Sequence, residues 1–162
     1  MTDSDELGTR LRRLEDEHDI CRLIASYGPA VDGGDADAAA RLWATDGSYD
    51  VEGWHMESRA DVHAMVSSPS HQSLVANGCC HFIGPTVVTV TGDSAVAVCE
   101  SLALLRDGDG YRVWRATANH FTLQRIDDRW QITARTSRVL DGSPGAHALL
   151  RAGLAGQAVV AD

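Results

Sequence analysis

The second half of this chain consists of four long runs rich in β-branched and aromatic residues, at 81–91, 95–106, 111–125 and 130–140. Only short breaks separate the later runs: Gly92-Asp93, Asp107-Gly108-Asp109-Gly110 and Asp127-Asp128. Glycine and aspartate tolerate the left-handed backbone of tight hairpins, so the runs predict an antiparallel, largely meandering sheet. Strands this long need one face covered. The first half supplies the cover, because its apolar residues recur at helical spacing. Helices first and strands afterwards predict an α+β fold, with N-terminal helices packed against one face of a mostly antiparallel sheet.

Leu7, Leu11, Leu14, Cys21, Ile24, Gly28 and Val31 step by three and four with one longer gap, predicting an amphipathic helix over 8–32. Gly28-Pro29 falls in its last turns, where proline removes a backbone donor and bends the axis. Gly33-Gly34 ends it. Asp35 is placed to cap a second helix at 36–44, and Ser58 a third at 59–67; a short strand is expected at 48–52 and irregular chain at 69–77. A short helix is expected at 144–156. One domain over 1–162 follows, with its core at about 8–140 and an extension at 141–162; a chain of 162 residues buries an adequate core without staples.

A net charge of −9 argues against a nucleic-acid partner. No apolar run is long enough to span a bilayer, and the first residues lack an apolar leader core, so a cytoplasmic protein with no membrane partner is expected. All 14 basic residues are arginine. Without lysine there is no Schiff-base chemistry. Cys21, Cys79, Cys80 and Cys99 form no C-x-x-C pair and are expected as reduced, mostly buried thiols. His55, His63 and His71 recur every eight residues, a spacing that common metal sites do not use, so no metal is expected.

The residues able to do chemistry are few. Asp32 ends the first helix and His81 begins the sheet; a carboxylate that orients an imidazole makes a general base. Tyr27 would stand about 140° from Asp32 on an ideal helix, and meets it in one pocket only if Gly28-Pro29 bends the segment. Arg135, five after Trp130, is expected on the face opposite the Trp130, Ile132 and Ala134 row. Glu100 interrupts an apolar strand and should face the pocket or pair with an arginine. Asn119 and His120 point to opposite faces, so one at most lines a given pocket. Tyr49, Trp43, Trp54 and Phe82 are candidate apolar walls.

The order Tyr27-x4-Asp32, Gly-Ser-Tyr-Asp-Val-Glu-Gly at 47–53, strand-initial His81, Gly-Asp-Ser-Ala at 92–95 and Trp130-x4-Arg135 resembles the SnoaL-like family of the nuclear-transport-factor-2-like superfamily. It is most similar to scytalone dehydratase, bile-acid 7α-dehydratase and hexachlorocyclohexane dehydrochlorinase. The resemblance implies a cone-shaped α+β barrel with a deep apolar pocket, commonly assembled as a dimer or trimer. It implies an Asp32–His81 dyad that removes a proton, Tyr27 assisting the leaving group, Arg135 stabilising negative charge and Glu100 nearby. The dehydrochlorinase-type lysine is absent, which favours loss of water or isomerisation over loss of halide. The expected function is therefore a cofactor-independent, dehydratase-type lyase acting on a hydrophobic cyclic small molecule. The alternatives are an isomerase or polyketide-cyclase-type enzyme in the same pocket, or a non-catalytic binding or oxygenase-subunit-like protein.

Overall fold

The computed structural model describes residues 3–159. Helices α1 (Asp3–Ala25), α2 (Tyr27–Asp32) and α3 (Ala36–Ala40) lead into strands β1 (Trp43–Val51) and β2 (Trp54–Met56). Helices α4 (Arg59–Ser67) and α5 (Pro69–Asn77) follow, then β3 (Cys79–Ile83), β4 (Val87–Thr91), β5 (Ser94–Asp107), β6 (Gly110–Ile126), β7 (Arg129–Val139) and α6 (Pro144–Leu154). The seven strands form one open sheet in the order β2-β1-β7-β6-β5-β3, with β4 also paired to β5. All pairings are antiparallel except β1 with β7, so the sheet is mixed rather than a pure meander. At the β6–β7 turn Asp127 and Asp128 both adopt positive φ, 50° and 59°. That backbone matches the twist of the flanking strands.

The sheet has helices on both faces. Ile20, Ile24, Val31, Val62 and Val66 from α1, α2 and α4 pack with Trp43, Ala97, Phe121, Leu123 and Ile132 on the inner face. Fully burying such a side chain contributes about 1.5–3 kcal/mol. The outer face is partly covered by α6, whose Ala146 and Leu149 pack on Ala118. His120, beside the inward Asn119, faces outward and its Nε2 lies 2.8 Å from the Gln157 carbonyl. Among the described residues no helix is long and apolar enough to cross a membrane.

Several expectations are corrected. The helix read over 8–32 breaks at Ser26, whose N–H is shared between the Arg22 and Leu23 carbonyls, and resumes as α2. Leu7, Leu11 and Leu14 are 66%, 54% and 63% exposed; the start of α1 projects beyond the sheet. The segment 69–77 is helical, with the Ser68 hydroxyl accepting from His71 N–H and Pro69 in the first turn. The run at 81–91 is two strands split at 84–86. The second helix stops at Ala40, so Trp43 belongs to a strand. Of the four free cysteines only Cys99 is buried.

Candidate active site

Gly28 sets the approach of α2 to the sheet. A Cβ there would stand 2.2 Å from the His81 carbonyl oxygen, so only glycine lets the helix lie directly on β3. Asp32, one turn later, is thereby placed against the start of β3. Its Oδ2 accepts the His81 backbone N–H at 2.6 Å and its Oδ1 meets His81 Nδ1 at 2.6 Å. Cys79 Sγ donates to Oδ1 at 3.5 Å. Burial pushes the Asp32 carboxyl up, but the His81 ring, the His81 N–H and the Cys79 thiol together hold it below its ordinary value. Burial and the Asp32 charge push the Cys79 thiol up to about 11, so it remains a neutral donor.

Tyr27 joins this pair. Its ring lies 6.4 Å from the His81 ring and edge-on to Trp43 and Tyr49. Burial, then the neighbouring Tyr49, push its phenol well above the usual value, so it stays protonated. The break at Ser26 precedes both Tyr27 and Asp32, so it turns α2 as a unit; Tyr27 reaches the cavity wall while Asp32 contacts His81 from behind it.

Arg135 lies on the same face as Trp130 and Ile132, not the opposite one. Strand β7 pairs Ile132 with Leu123 and Arg135 with Phe121, and the register slips between these pairs. This β-bulge adds a residue at Thr133 and reverses the alternation beyond it. Arg135 is 3% exposed. Its guanidinium sits 4.3 Å over the Tyr27 ring, 4.5 Å over Tyr49 and 5.1 Å over Phe121. Its Nε and Nη2 donate to Asn119 Oδ1, which also accepts from Ser137 Oγ. Asn119 Nδ2 donates to Ser101 Oγ. Nη1 is buried without a hydrogen-bond partner.

These groups line a cavity of about 300 Å³. Tyr27, Tyr49, His81, Asn119 and Arg135 form part of its wall, and Trp54 stands at it while 58% exposed. Asp32 lies behind His81 rather than on the wall. Three expected wall or site residues are elsewhere. Trp43 is fully buried beneath the tyrosines, its Nε1 donating to the Ser48 carbonyl. Phe82 alternates with His81 along β3 and is 55% exposed on the other face. Glu100 is likewise exposed, between the inward Cys99 and Ser101, and forms no ion pair among the described residues. An outward strand position needs no partner for a carboxylate.

The sequence reading missed His71, Met65, Leu74, Ser101, Thr117 and Ser137, all on the cavity wall. His71 was obscured by reading 69–77 as irregular, although Ser68-Pro69 is a cap followed by a first-turn proline. His55 and His63 are near Asp50 and Asp37 instead, so the evenly spaced histidines make no cluster. Among the described residues, the groups able to hold a cation are Asp32, Cys79 and His81, whose ligand atoms lie within 4.8 Å of one another. Both Asp32 oxygens are already engaged there, and the thiol would have to ionise against its raised pKa.

A family model described as the SnoaL-like domain matches residues 12–136. No curated protein matches the chain. Among solved structures, an NTF2-like protein with a cystatin-like fold from Novosphingobium aromaticivorans is 42% identical, with 93% of this chain and 98% of that one covered and a TM-score of 0.89. A hexachlorocyclohexane dehydrochlorinase, LinA-type3, from Novosphingobium barchaimii shares the fold at 19% identity, 81% and 90% coverage and a TM-score of 0.69. A candidate scytalone dehydratase from Novosphingobium aromaticivorans does so at 16% identity, 78% and 85% coverage and a TM-score of 0.67.

Proposed function

The chain belongs to the SnoaL-like domain family, and from that premise we propose that it is a cofactor-independent lyase of the dehydratase type acting on a hydrophobic cyclic small molecule. The observation that carries the reading is the 2.6 Å contact between Asp32 Oδ1 and His81 Nδ1 at the cavity wall. Asp32 can only accept in its ionised form, so Nδ1 carries the proton and Nε2 keeps its lone pair. Nε2 makes no hydrogen bond among the described residues.

In the proposed step His81 Nε2 takes a proton from a ring carbon next to a carbonyl. The released electron pair forms the C=C bond as the neighbouring C–O bond breaks. The departing hydroxide recovers a proton from the imidazolium, directly or through the Tyr27 hydroxyl, and leaves as water. Asp32 stabilises the imidazolium meanwhile. Arg135 places a positive charge over the Tyr27 and Tyr49 rings, at the cavity wall where the proposed step builds negative charge on oxygen. The non-catalytic alternative would be favoured by a pocket filled with Trp43, Trp54 or Phe82. The cavity is open instead, with Trp43 beneath it and Phe82 outside.

An isomerase or cyclase-type reaction is the second reading. It is favoured by Tyr27, whose raised pKa suits a donor that holds a carbonyl oxygen without surrendering its proton. The outer face carrying Phe82 and Val113, 55% and 58% exposed, would supply the contact of a dimer or trimer. The test is turnover of a panel of β-hydroxy cyclic ketones, read by mass. His81→Ala and Asp32→Asn should each lower the rate by about 10²–10⁴-fold with the fold retained, and Tyr27→Phe by less. Loss of water marks the lyase and unchanged mass the isomerase. Full turnover in His81→Ala would sink both.

A further inference from the structure

The cavity holds a second histidine that the proposed proton transfer does not use. His71 lies in the first turn of α5, 8% exposed, and lines the cavity wall. Its Nε2 is 2.9 Å from the Val31 carbonyl at the end of α2. A carbonyl can only accept, so Nε2 carries the proton and Nδ1 of the neutral ring is an acceptor. Nδ1 makes no hydrogen bond among the described residues. Nor is it sealed in: Arg135 Nη1 is the one side-chain nitrogen or oxygen among them that is fully buried without a partner. Nδ1 is therefore not fully buried, on a ring that lines the cavity.

We propose that His71 Nδ1 is a specificity-determining acceptor that holds a hydroxyl or N–H donor on the substrate. This rests on the reading of the cavity as a substrate site. The chemistry of the surrounding wall sets the class. Tyr27, Asn119 and Arg135 present donors or spent acceptors, so they suit a carbonyl or developing oxyanion. His81 Nε2 is reserved for the carbon-bound proton. The His71 and His81 rings lie 6.0 Å apart and tilted by only 32°, so one bound ring can meet both. The ligand is thus an apolar cyclic molecule with a carbonyl-type acceptor and, separately, a hydroxyl or N–H donor. A ligand without the donor leaves a nearly buried acceptor unpaired, which is how polar sites reject close analogues.

The probes are β-naphthol and its methyl ether, matched bicyclic rings that differ in the donor and fit a cavity of about 300 Å³. The wild-type protein should bind the naphthol about tenfold more tightly, the worth of one hydrogen bond in such a site. His71→Phe should bring the two affinities together, whereas His81→Ala should keep them apart. Nitrogen NMR should show His71 protonated at Nε2, with the Nδ1 resonance moved by the naphthol and not by the ether. Equal affinities in the wild type, a preference that survives His71→Phe but vanishes in His81→Ala, or a proton on Nδ1 would each overturn the proposal. Failure of the lyase reading looks different. Turnover would then persist in His81→Ala while the naphthol preference still followed His71.

Discussion

Gly28→Ala probes the contact on which the whole site depends. The added Cβ would lie 2.2 Å from the His81 carbonyl oxygen, where real Cβ atoms essentially never come within 3.0 Å. The opposing atom is backbone in a paired strand, so the helix and not a flexible side chain must give way. Relief requires α2 to retreat by at least about 0.8 Å. Asp32 rides on the same helix, and its two 2.6 Å contacts with His81 would stretch to about 3.4 Å, the edge of hydrogen bonding. The overpacking should cost about 1–3 kcal/mol, and for a chain of this size lower the melting temperature by about 3–10 °C. A misplacement of this scale should lower turnover by about 10²-fold. The hydrogen-bonded His81 Nδ1 proton, a downfield NMR resonance, should shift upfield or exchange away. Gly145→Ala is the control, since a Cβ there meets nothing within 4 Å. A Gly28→Ala protein that melts like wild type and keeps the His81 resonance would refute the close-approach argument.

Asn119→Leu removes the acceptor shared by Arg135 and Ser137 and leaves a buried guanidinium without a hydrogen-bonding oxygen. It should destabilise the protein by about 3 kcal/mol in urea unfolding. Acid should unfold the chain in two stages. Desolvation holds His120 below its ordinary value, so its contribution is complete above about pH 6.5 and fades as pH falls through the native value. Asp16, Asp32 and Asp50 are also held below theirs, so their contributions are complete above about pH 4 and are lost below it. His120→Gln should abolish the first stage of the urea-midpoint profile and spare the second. Dialysis against a chelator should leave turnover intact; loss restored by added zinc would instead make Asp32, Cys79 and His81 a metal site.

The parts of this fold legible in the sequence are those with short-range causes. Turn chemistry and β-branched runs place β5, β6 and β7 within a few residues, and Asp35 and Ser58 cap the helices they were expected to cap. The nearness of Asp32 and His81 was implied by the resemblance of their order and spacing to the SnoaL-like family, and not by either residue alone. What was not legible depends on partners far away in sequence. Arg135 could not be assigned a face by counting, because the bulge at Thr133 reverses the count and only pairing with β6 reveals it. Gly28 was expected on the helix's inner face and in a bend with Pro29, yet what it does is let α2 touch a strand residue 53 positions further on. Leu7, Leu11 and Leu14 have helical spacing, but spacing alone does not say whether the sheet extends far enough to cover them. The burial expected of Glu100 failed for the same reason, since α6 covers only part of the outer face.

The charge arrangement around Arg135 is what the proposed anion-forming chemistry would need within an acidic protein. The chain has 23 acidic residues, yet among the described residues none forms an ion pair with this buried guanidinium. Two other cations on the sheet are handled differently: Arg125 meets Asp16, and Arg138, on the outer face, meets Asp50. Arg135 is given a neutral amide oxygen and three aromatic faces instead. A carboxylate in place of Asn119 would hold the arginine more firmly but would cancel its field. Aromatic faces offset part of the desolvation cost without neutralising the charge. The positive potential is therefore left to act at the cavity wall formed with Tyr27 and Tyr49, where the proposed reaction builds negative charge on oxygen. Under the proposed reaction, the unpartnered Nη1 is a stabilising contact given up so that charge is available to the transition state.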